Sequence, residues 1–259
     1  MNSLVVPIFK NETSIPKLVD VCDWLQSQLN ETLEVVFVVD GSPDQSLKVL
    51  KALLPLVTFQ YQVIELSKNF GSFSAIKKGL ELAKGDFFAV MAADLQEPKE
   101  LIVDFFKTLE TQEYEVVLGK RDSRKDPFVS RITANSFWWL YRKLIQPEMP
   151  KGGVDIFGCN KTFRDHLIKL NESHSSLVGL IFWMGFRRKI ISYSRQEREH
   201  GKSAWTFSKK FRYMLDNIFS FTDLPIQMLV LFGFTGVLTS LGLGALILIS
   251  KLSGAIAVP

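Results

Sequence analysis

Two acidic residues, Asp40 and Asp94, follow strongly apolar runs and are the first candidates for chemistry. Asp40 comes directly after the run at 33–39, and Asp94 comes shortly after the run at 87–91. Apolar runs of this length indicate buried strands, and ligands of open α/β sheets bind beyond the carboxyl ends of such strands. The sequence therefore predicts that both carboxylates contact a ligand. The alternative is that each aspartate only forms a turn or caps a helix.

The elements that must position these residues alternate between strand-like and helix-like patterns. Strands are predicted at 4–9, 33–39, 61–66, 87–91 and 116–118, and helices at 15–29, 44–54, 71–84 and 98–111. Ser14 is predicted to cap the first helix, with Pro16 in its first turn. Strands that are apolar throughout predict a mostly parallel sheet covered by helices on both faces.

Several function classes lack support in the sequence. There is no GxGxxG motif and no GxxxxGK[ST] motif, so dinucleotide and P-loop chemistry have no basis. The formal charge of +4 is mild, and we expect no nucleic-acid partner. Cys22 and Cys159 stand alone, which favours buried residues in a reducing compartment. The three histidines have no metal-ligand spacing, so zinc is not expected. The start of the chain lacks the pattern of a signal peptide, and we expect this part to fold in the cytoplasm.

The carboxyl-terminal segment has the composition of a membrane helix. No charged residue occurs from 224 to 250, and such a run exceeds the roughly 20 residues that a spanning helix needs. The alternative is a helix buried in a soluble core. Basic residues lie mainly before the segment, and only Lys251 follows it, which predicts that the large domain is cytoplasmic. The basic residues are Arg187, Arg188, Lys189, Arg195, Arg198, Lys202, Lys209, Lys210 and Arg212.

Two helical stretches, at 128–145 and 209–222, are rich in aromatic and basic residues. Beside a membrane helix, this composition favours amphipathic helices at the bilayer interface over simple core packing. The expected organisation is a catalytic domain at 1–205, an amphipathic helix at 206–223, a transmembrane helix at 224–250 and a tail at 251–259.

Six segments in this order resemble the landmarks of family 2 inverting glycosyltransferases. They are 6–12 (VPIFKNE), 39–44 (VDGSPD), 67–71 (SKNFG), 93–98 (ADLQEP), 153–155 (GVD) and 198–205 (REHGKSAW). The resemblance covers essentially the whole chain. It is nearest to dolichol- and polyprenyl-phosphate sugar transferases that have carboxyl-terminal membrane helices.

The resemblance implies a GT-A fold, Rossmann-like, with a nucleotide-diphosphate sugar lying across the strand ends. It assigns Asp94 to metal binding and catalysis, and Asp155 to catalysis through the acceptor. The implied nucleotide-sugar-binding residues are Pro7, Glu12, Asp40, Gly41, Ser42, Lys68, Asn69, Gly71, Gln96, Arg198, Lys202 and Ser203. The implied partners are a nucleotide-sugar donor, a lipid-linked acceptor, the membrane and, as an open question, further copies of the chain.

The implied reaction explains these residue types. Negative charge builds on the departing nucleoside diphosphate, and Mg²⁺ or Mn²⁺ held by carboxylates stabilises it. A hydroxyl acceptor needs a general base, which would be Asp155. A polyprenyl phosphate is already anionic near neutral pH, so Asp155 would then orient or bind the acceptor instead.

Two positions depart from the family pattern. Val39 and Ala92 stand where the family usually has aspartate. The aspartate missing at Val39 bears on recognition of the nucleobase, and the aspartate missing at Ala92 bears on the strength of the metal site. They motivate a second hypothesis, a catalytically impaired module that binds nucleotide sugars. A third hypothesis is a sugar nucleotidyltransferase, an enzyme with the same type of sheet. Such an enzyme is expected to have a basic glycine-rich loop near its amino terminus, and this sequence has none.

Overall fold

The computed structural model of the chain describes residues 1–122, 142–143, 147–150, 153–170, 176–195 and 215–253. The strands in this part are β1 (Asn2–Ile8), β2 (Leu33–Asp40), β3 (Gln60–Leu66), β4 (Phe87–Val90), β5 (Val116–Arg121), β6 (Val154–Asn160) and β7 (Arg188–Tyr193). The helices are α1 (Ile15–Gln28), α2 (Ser46–Leu53), α3 (Ser72–Leu82), α4 (Lys99–Glu110), α5 (Lys161–Lys169), α6 (Leu177–Trp183) and α7 (Leu224–Leu252). A 3₁₀ turn occupies Leu54–Leu56, and residues 215–221 are also helical.

The described strands form one mostly parallel sheet in the order β3-β2-β1-β4-β6-β5-β7. β1 runs parallel to β2 and to β4, β2 runs parallel to β3, and β5 runs parallel to β7. The prediction of a mostly parallel α/β sheet is therefore confirmed. β6 is antiparallel to both β4 and β5. Its first residues consequently lie at the edge where β4, β5 and β7 end.

Both faces of the sheet are buried along its central strands, which explains their continuous apolar runs. In β2, the side chains of Val35, Phe37 and Val39 belong to the core under α1, α2 and α4. The intervening Val36 and Val38 belong to the opposite core under α3, α5 and α6. Because strand side chains alternate between faces, a strand covered on both sides has no polar face.

The start of α1 differs from the prediction in one detail. Pro16 lies in the first turn, as expected, but the side chain of Ser14 makes no capping hydrogen bond. The Ser14 hydroxyl instead donates to the carbonyl of Asn11 at 3.0 Å. Ser14 is therefore the N-cap residue, as predicted, but that local bond takes its hydroxyl away from the amides at the helix end.

α7 has 29 residues, a length of roughly 43 Å at the rise of an α-helix. None of its residues is buried, so the alternative of a helix inside a soluble core is wrong for this structure. α7 is long and apolar enough to cross a membrane. In the preceding segment, Phe219 is 64% exposed whereas Asn217 is fully buried. The placement of this amphipathic segment at a bilayer interface stays a prediction, as do the domain limits. The predicted helix at 128–145 lies almost entirely outside the described residues.

Candidate active site

Both predicted aspartates lie at the carboxyl edge of the sheet. Asp40 is the last residue of β2, and Asp94 lies in the loop between β4 and α4. Asp155, the second residue of β6, reaches the same edge because β6 runs antiparallel to its neighbours. The edge therefore carries three of the carboxylates that the sequence singled out.

Asp40 is only 2% exposed, and both of its carboxylate oxygens are used inside the protein. Oδ1 accepts a hydrogen bond from the amide of Phe70 at 2.7 Å, and Oδ2 accepts one from the amide of Gly71 at 2.9 Å. The side-chain amide of Asn69 lies 3.4 Å from the Asp40 carbonyl, and Lys68 Nζ lies 5.1 Å from the centre of the Phe70 ring. Asp40 thus fixes the loop after β3, which carries three of the predicted binding residues.

Gly41 allows the same loop to approach β2. Its φ is +55°, and a Cβ added there would lie 2.3 Å from the carbonyl carbon of Lys68. Both the left-handed conformation and the lack of space require glycine at this position. The predicted residues Gly41, Lys68 and Asn69 are therefore brought together by a close contact between backbones.

The loops after β1 and β2 are joined through Ser42, Glu12 and Asp44. The amide of Lys10 donates to Ser42 Oγ at 2.8 Å, and that hydroxyl donates to Asp44 Oδ1 at 2.6 Å. Glu12 donates its amide to Asp44 Oδ2 and accepts the amide of Gln45 at 3.0 Å. Burial raises the pKa of Asp44, but these hydrogen bonds outweigh it and the pKa is lowered. Glu12 and Ser42 therefore serve first to shape this corner.

A cleft of about 440 Å³ opens beside this corner. It is lined by Val39, Gly41, Ser42, Leu47, Glu65, Leu66 and Ser67. Pro7 lies in β1 opposite Val38, one strand away. Two of the predicted binding residues, Gly41 and Ser42, thus line a concave surface at the ends of β2 and β3.

The loop after β4 presents a second set of polar groups. Leu95 has a φ of +53°, an uncommon conformation for a residue with a side chain. The neighbouring Gln96 is 8% exposed, and its side-chain oxygen accepts a hydrogen bond from Arg195. The strained turn therefore places Asp94 and Gln96 beside a cation that follows β7. Ala92 precedes them and offers no ligand atom for a metal.

Glu97 belongs to this set although it was not among the predicted residues. It is 4% exposed, and its Oε2 has no hydrogen-bond partner among the described residues. Burial, followed by the charge of Asp94, raises the pKa of Glu97 to about 7. By contrast Glu34, a buried carboxylate near the opposite edge, accepts hydrogen bonds from Ser3 and Gln62. Glu97 is thus a buried acid whose Oε2 is available to bind a ligand or a metal ion.

We expect Glu97→Gln to stabilise the protein near pH 8 and to have little effect near pH 4. The pKa of Glu97 is higher in the folded chain than its ordinary value of 4.5, so the folded state holds the proton more tightly. The free energy of unfolding therefore falls as the pH rises from about 4.5 to about 7, by on the order of 2–3 kcal/mol. Thermal unfolding of the full chain in detergent measures this, with Glu100→Gln, an exposed glutamate in the first turn of α4, as the control. An equal shift at both pH values would contradict the assignment.

Asp155 is held by two partners. Its Oδ2 accepts hydrogen bonds from Arg121 Nε at 3.0 Å, from Arg121 Nη2 at 2.5 Å and from the Tyr193 hydroxyl at 2.9 Å. Burial lowers the pKa of Arg121, but Asp155 outweighs it and the pKa is raised. Burial and the charge of Asp155 both raise the pKa of Tyr193, which keeps its hydroxyl protonated. Asp155 is thus an exposed carboxylate whose Oδ2 is the charge partner of Arg121.

The structure adds residues that sequence reasoning did not select. They are Glu97, Arg121, Tyr193 and Arg195. Glu97 lies within the segment 93–98 that carried the resemblance, and its type alone was a usable signal. Arg121 and Tyr193 end β5 and β7, but only the strand order shows that both meet Asp155. Three predicted residues, Arg198, Lys202 and Ser203, lie outside the described residues.

Comparison with known proteins agrees with this geometry. The chain is 31% identical over 227 residues to the uncharacterized glycosyltransferase YkcC of Bacillus subtilis, covering 87% of this chain and 70% of that one. It is 30% identical over 230 residues to a bactoprenol glucosyl transferase of Shigella phage SfV, covering 87% and 73%.

Among solved structures, the fold is similar to that of the mannosyltransferase PcManGT from Pyrobaculum calidifontis in complex with GDP-Man and Mn²⁺. The TM-score is 0.54 at 17% identity, covering 78% of this chain and 57% of that one. The sequence model of glycosyl transferase family 2 matches residues 3–170, which is more than half of the chain. The chain therefore belongs to glycosyl transferase family 2.

Proposed function

We propose that the chain transfers a sugar, with inversion, from a nucleoside-diphosphate sugar to a polyprenyl phosphate or another lipid-linked acceptor in cell-surface glycan synthesis. The observation that carries this proposal is the charged cluster at the carboxyl edge, where Asp94, Glu97 and Asp155 meet two arginines. The name of the bactoprenol glucosyl transferase relative supports the acceptor class.

A divalent cation fits the residues on the Asp94 side of the cluster. Among the described residues no three His, Cys, Asp or Glu side chains form a set that would hold an ion alone. Mg²⁺ and Mn²⁺ are commonly held by one or two carboxylates, with phosphate and water oxygens completing the shell. Asp94 and Glu97 would supply the carboxylates, and the unpartnered Oε2 of Glu97 is the atom that favours this. When bound, the ion would neutralise charge on the departing diphosphate.

The Asp155 side of the cluster suits an anionic acceptor. A phosphate monoester is already ionised near neutral pH. The site therefore needs a positive group to bind the phosphate, and it does not need a base to deprotonate it. Arg121 is that group: its guanidinium is oriented by Asp155, and Tyr193 holds the same carboxylate oxygen. In this mechanism Asp155 positions Arg121 and does not carry a proton.

The membrane supplies the acceptor. The exposed apolar helix α7 would bring the catalytic domain, at 1–205, to the bilayer surface where a polyprenyl chain is anchored. The excess of basic residues before α7 favours a cytoplasmic orientation of that domain. Four glycines of α7 have open space where a Cβ would lie, a surface that permits close packing with another helix and hence association of copies. They are Gly233, Gly236, Gly242 and Gly244.

The proposal is tested by release of nucleotide from UDP-, GDP- and dTDP-sugars. The full chain in detergent is incubated with Mg²⁺ or Mn²⁺, with and without polyprenyl phosphate. We expect release from at least one donor to depend on the lipid, together with appearance of glycosylated lipid. Nucleotide binding without release from any donor would instead support the impaired binding module that Val39 and Ala92 suggest. In a parallel assay with nucleoside triphosphates and sugar 1-phosphates, pyrophosphate release would support a nucleotidyltransferase.

A further inference from the structure

The cleft at the ends of β2 and β3 contains a carboxylate that no part of the mechanism uses. Glu65 lines this cleft together with Val39. The two residues are register partners on adjacent parallel strands, so their side chains point to the same face of the sheet. Glu65 therefore stands beside the position where Val39 replaces the family's usual aspartate.

Among the residues that line the cleft, Glu65 is the one with a carboxylate side chain. Val39 is apolar and 2% exposed, and both oxygens of Asp40 already accept amide hydrogen bonds. The Ser42 hydroxyl is engaged with Lys10 and Asp44. Glu65 is exposed, and no hydrogen bond or ion pair joins it to a described residue. It is thus the carboxylate acceptor that this lining offers to a ligand.

The lining of the cleft suits a heterocycle. Leu47 and Leu66 supply apolar walls, and Glu65 supplies a charged acceptor at the rim. The ring imino N–H of uracil, thymine or guanine donates to a carboxylate. Cytosine and adenine have an acceptor at the corresponding ring nitrogen and donate only from an exocyclic amine beside it. Hydrogen bonds to an ionised group are the stronger ones in proteins and select sharply between a donor and an acceptor.

We propose that Glu65 reads the nucleobase of the donor and takes over the role of the aspartate that Val39 replaces. The donor base is then one with a ring imino N–H: uracil, thymine or guanine. This inference rests on the proposed function, because it concerns the nucleotide that the transferase binds. It adds a residue outside the predicted site and a rule for which bases are accepted.

The test is nucleotide binding by the full chain in detergent with Mg²⁺, measured by calorimetry for UDP, dTDP, GDP, CDP and ADP. We expect one of the first three to bind at least about tenfold more tightly than CDP and ADP. Glu65→Gln should reduce this preference by about tenfold, because the amide offers a donor as well as a weaker acceptor. Glu110→Gln, an exposed change on α4, is the matched control and should change nothing.

A second variant guards against indirect effects. Adding Val39→Asp to Glu65→Gln restores a carboxylate on the neighbouring strand and should recover most of the lost preference. Unchanged preference in Glu65→Gln would overturn the inference while leaving the proposed function standing, since nucleotide would still bind. Tightest binding of CDP or ADP by the unmodified chain would overturn it as well. Failure to bind any of the five nucleotides would count against the proposed function itself.

Discussion

Asp94→Ala is expected to lower lipid-dependent sugar transfer by about 10²–10³-fold, the range seen when a charge-stabilising group is removed from a site. Asp94 lies after β4 at the edge where the other charged residues meet, and its charge is felt by Glu97. With the carboxylate gone, Glu97 is the remaining acidic ligand that the loop offers. The transferase should then require far more Mg²⁺ or Mn²⁺, so the loss is largest at low metal concentration.

The measurement is initial rate against metal concentration for the unmodified chain and the variant. Asp104→Ala, on the exposed side of α4, serves as the control for aspartate removal. The fold should persist in both variants, because Asp94 is not part of either hydrophobic core. Equal metal dependence in Asp94→Ala and the unmodified chain would rule out a metal-binding role for this residue.

Asp155→Ala should reduce transfer to polyprenyl phosphate by about 10²-fold, whereas Asp155→Asn should cost only about tenfold. The physical reason is the pair with Arg121. Alanine leaves the guanidinium without its partner, but the asparagine oxygen still accepts from Arg121 and from Tyr193. Most of the loss should appear as a higher KM for the lipid, because the acceptor's phosphate is what Arg121 binds in our proposal.

The pH profile separates this role from general base catalysis. If Asp155 only positions Arg121, the acidic limb of the rate profile persists in Asp155→Asn with its midpoint unchanged. If Asp155 removes a proton from the acceptor, both variants lose activity to the same extent and the limb disappears. Donor binding, measured by calorimetry, should stay within about twofold in either variant, since the cleft that we propose for the nucleotide is lined by the ends of β2 and β3.

Much of the fold could be predicted because local patterns encode it. Apolar runs in β1, β2 and β4 identify strands buried on both faces, and the observed bounds of β1 to β4 differ from the predicted ones by only a few residues. The uncharged segment before Lys251 likewise predicted α7. The positions of Asp40 and Asp94 at the strand ends followed from the same patterns, because ligands of such sheets bind at one edge.

Other features depend on contacts between residues far apart in the chain. Asp155 meets Arg121, 34 positions away, and Tyr193, 38 positions away, only because β6 lies between β4 and β5 and runs antiparallel to both. The type of each residue was visible in the sequence, but strand order and direction were not. Sequence reasoning therefore assigned Asp155 to the acceptor without its cation.

The sequence by itself determined which segments are buried, which one is suited to a membrane, and which acidic residues end strands. The tertiary structure decided what those residues contact. It assigned the Asp40 carboxylate to two backbone amides and set Glu65 beside Val39. It also left Glu97 buried, with an oxygen that has no hydrogen-bond partner in the described part of the chain. The physical reason is that periodicity reports the burial of a side chain, whereas its partner depends on register and packing, which no local pattern encodes.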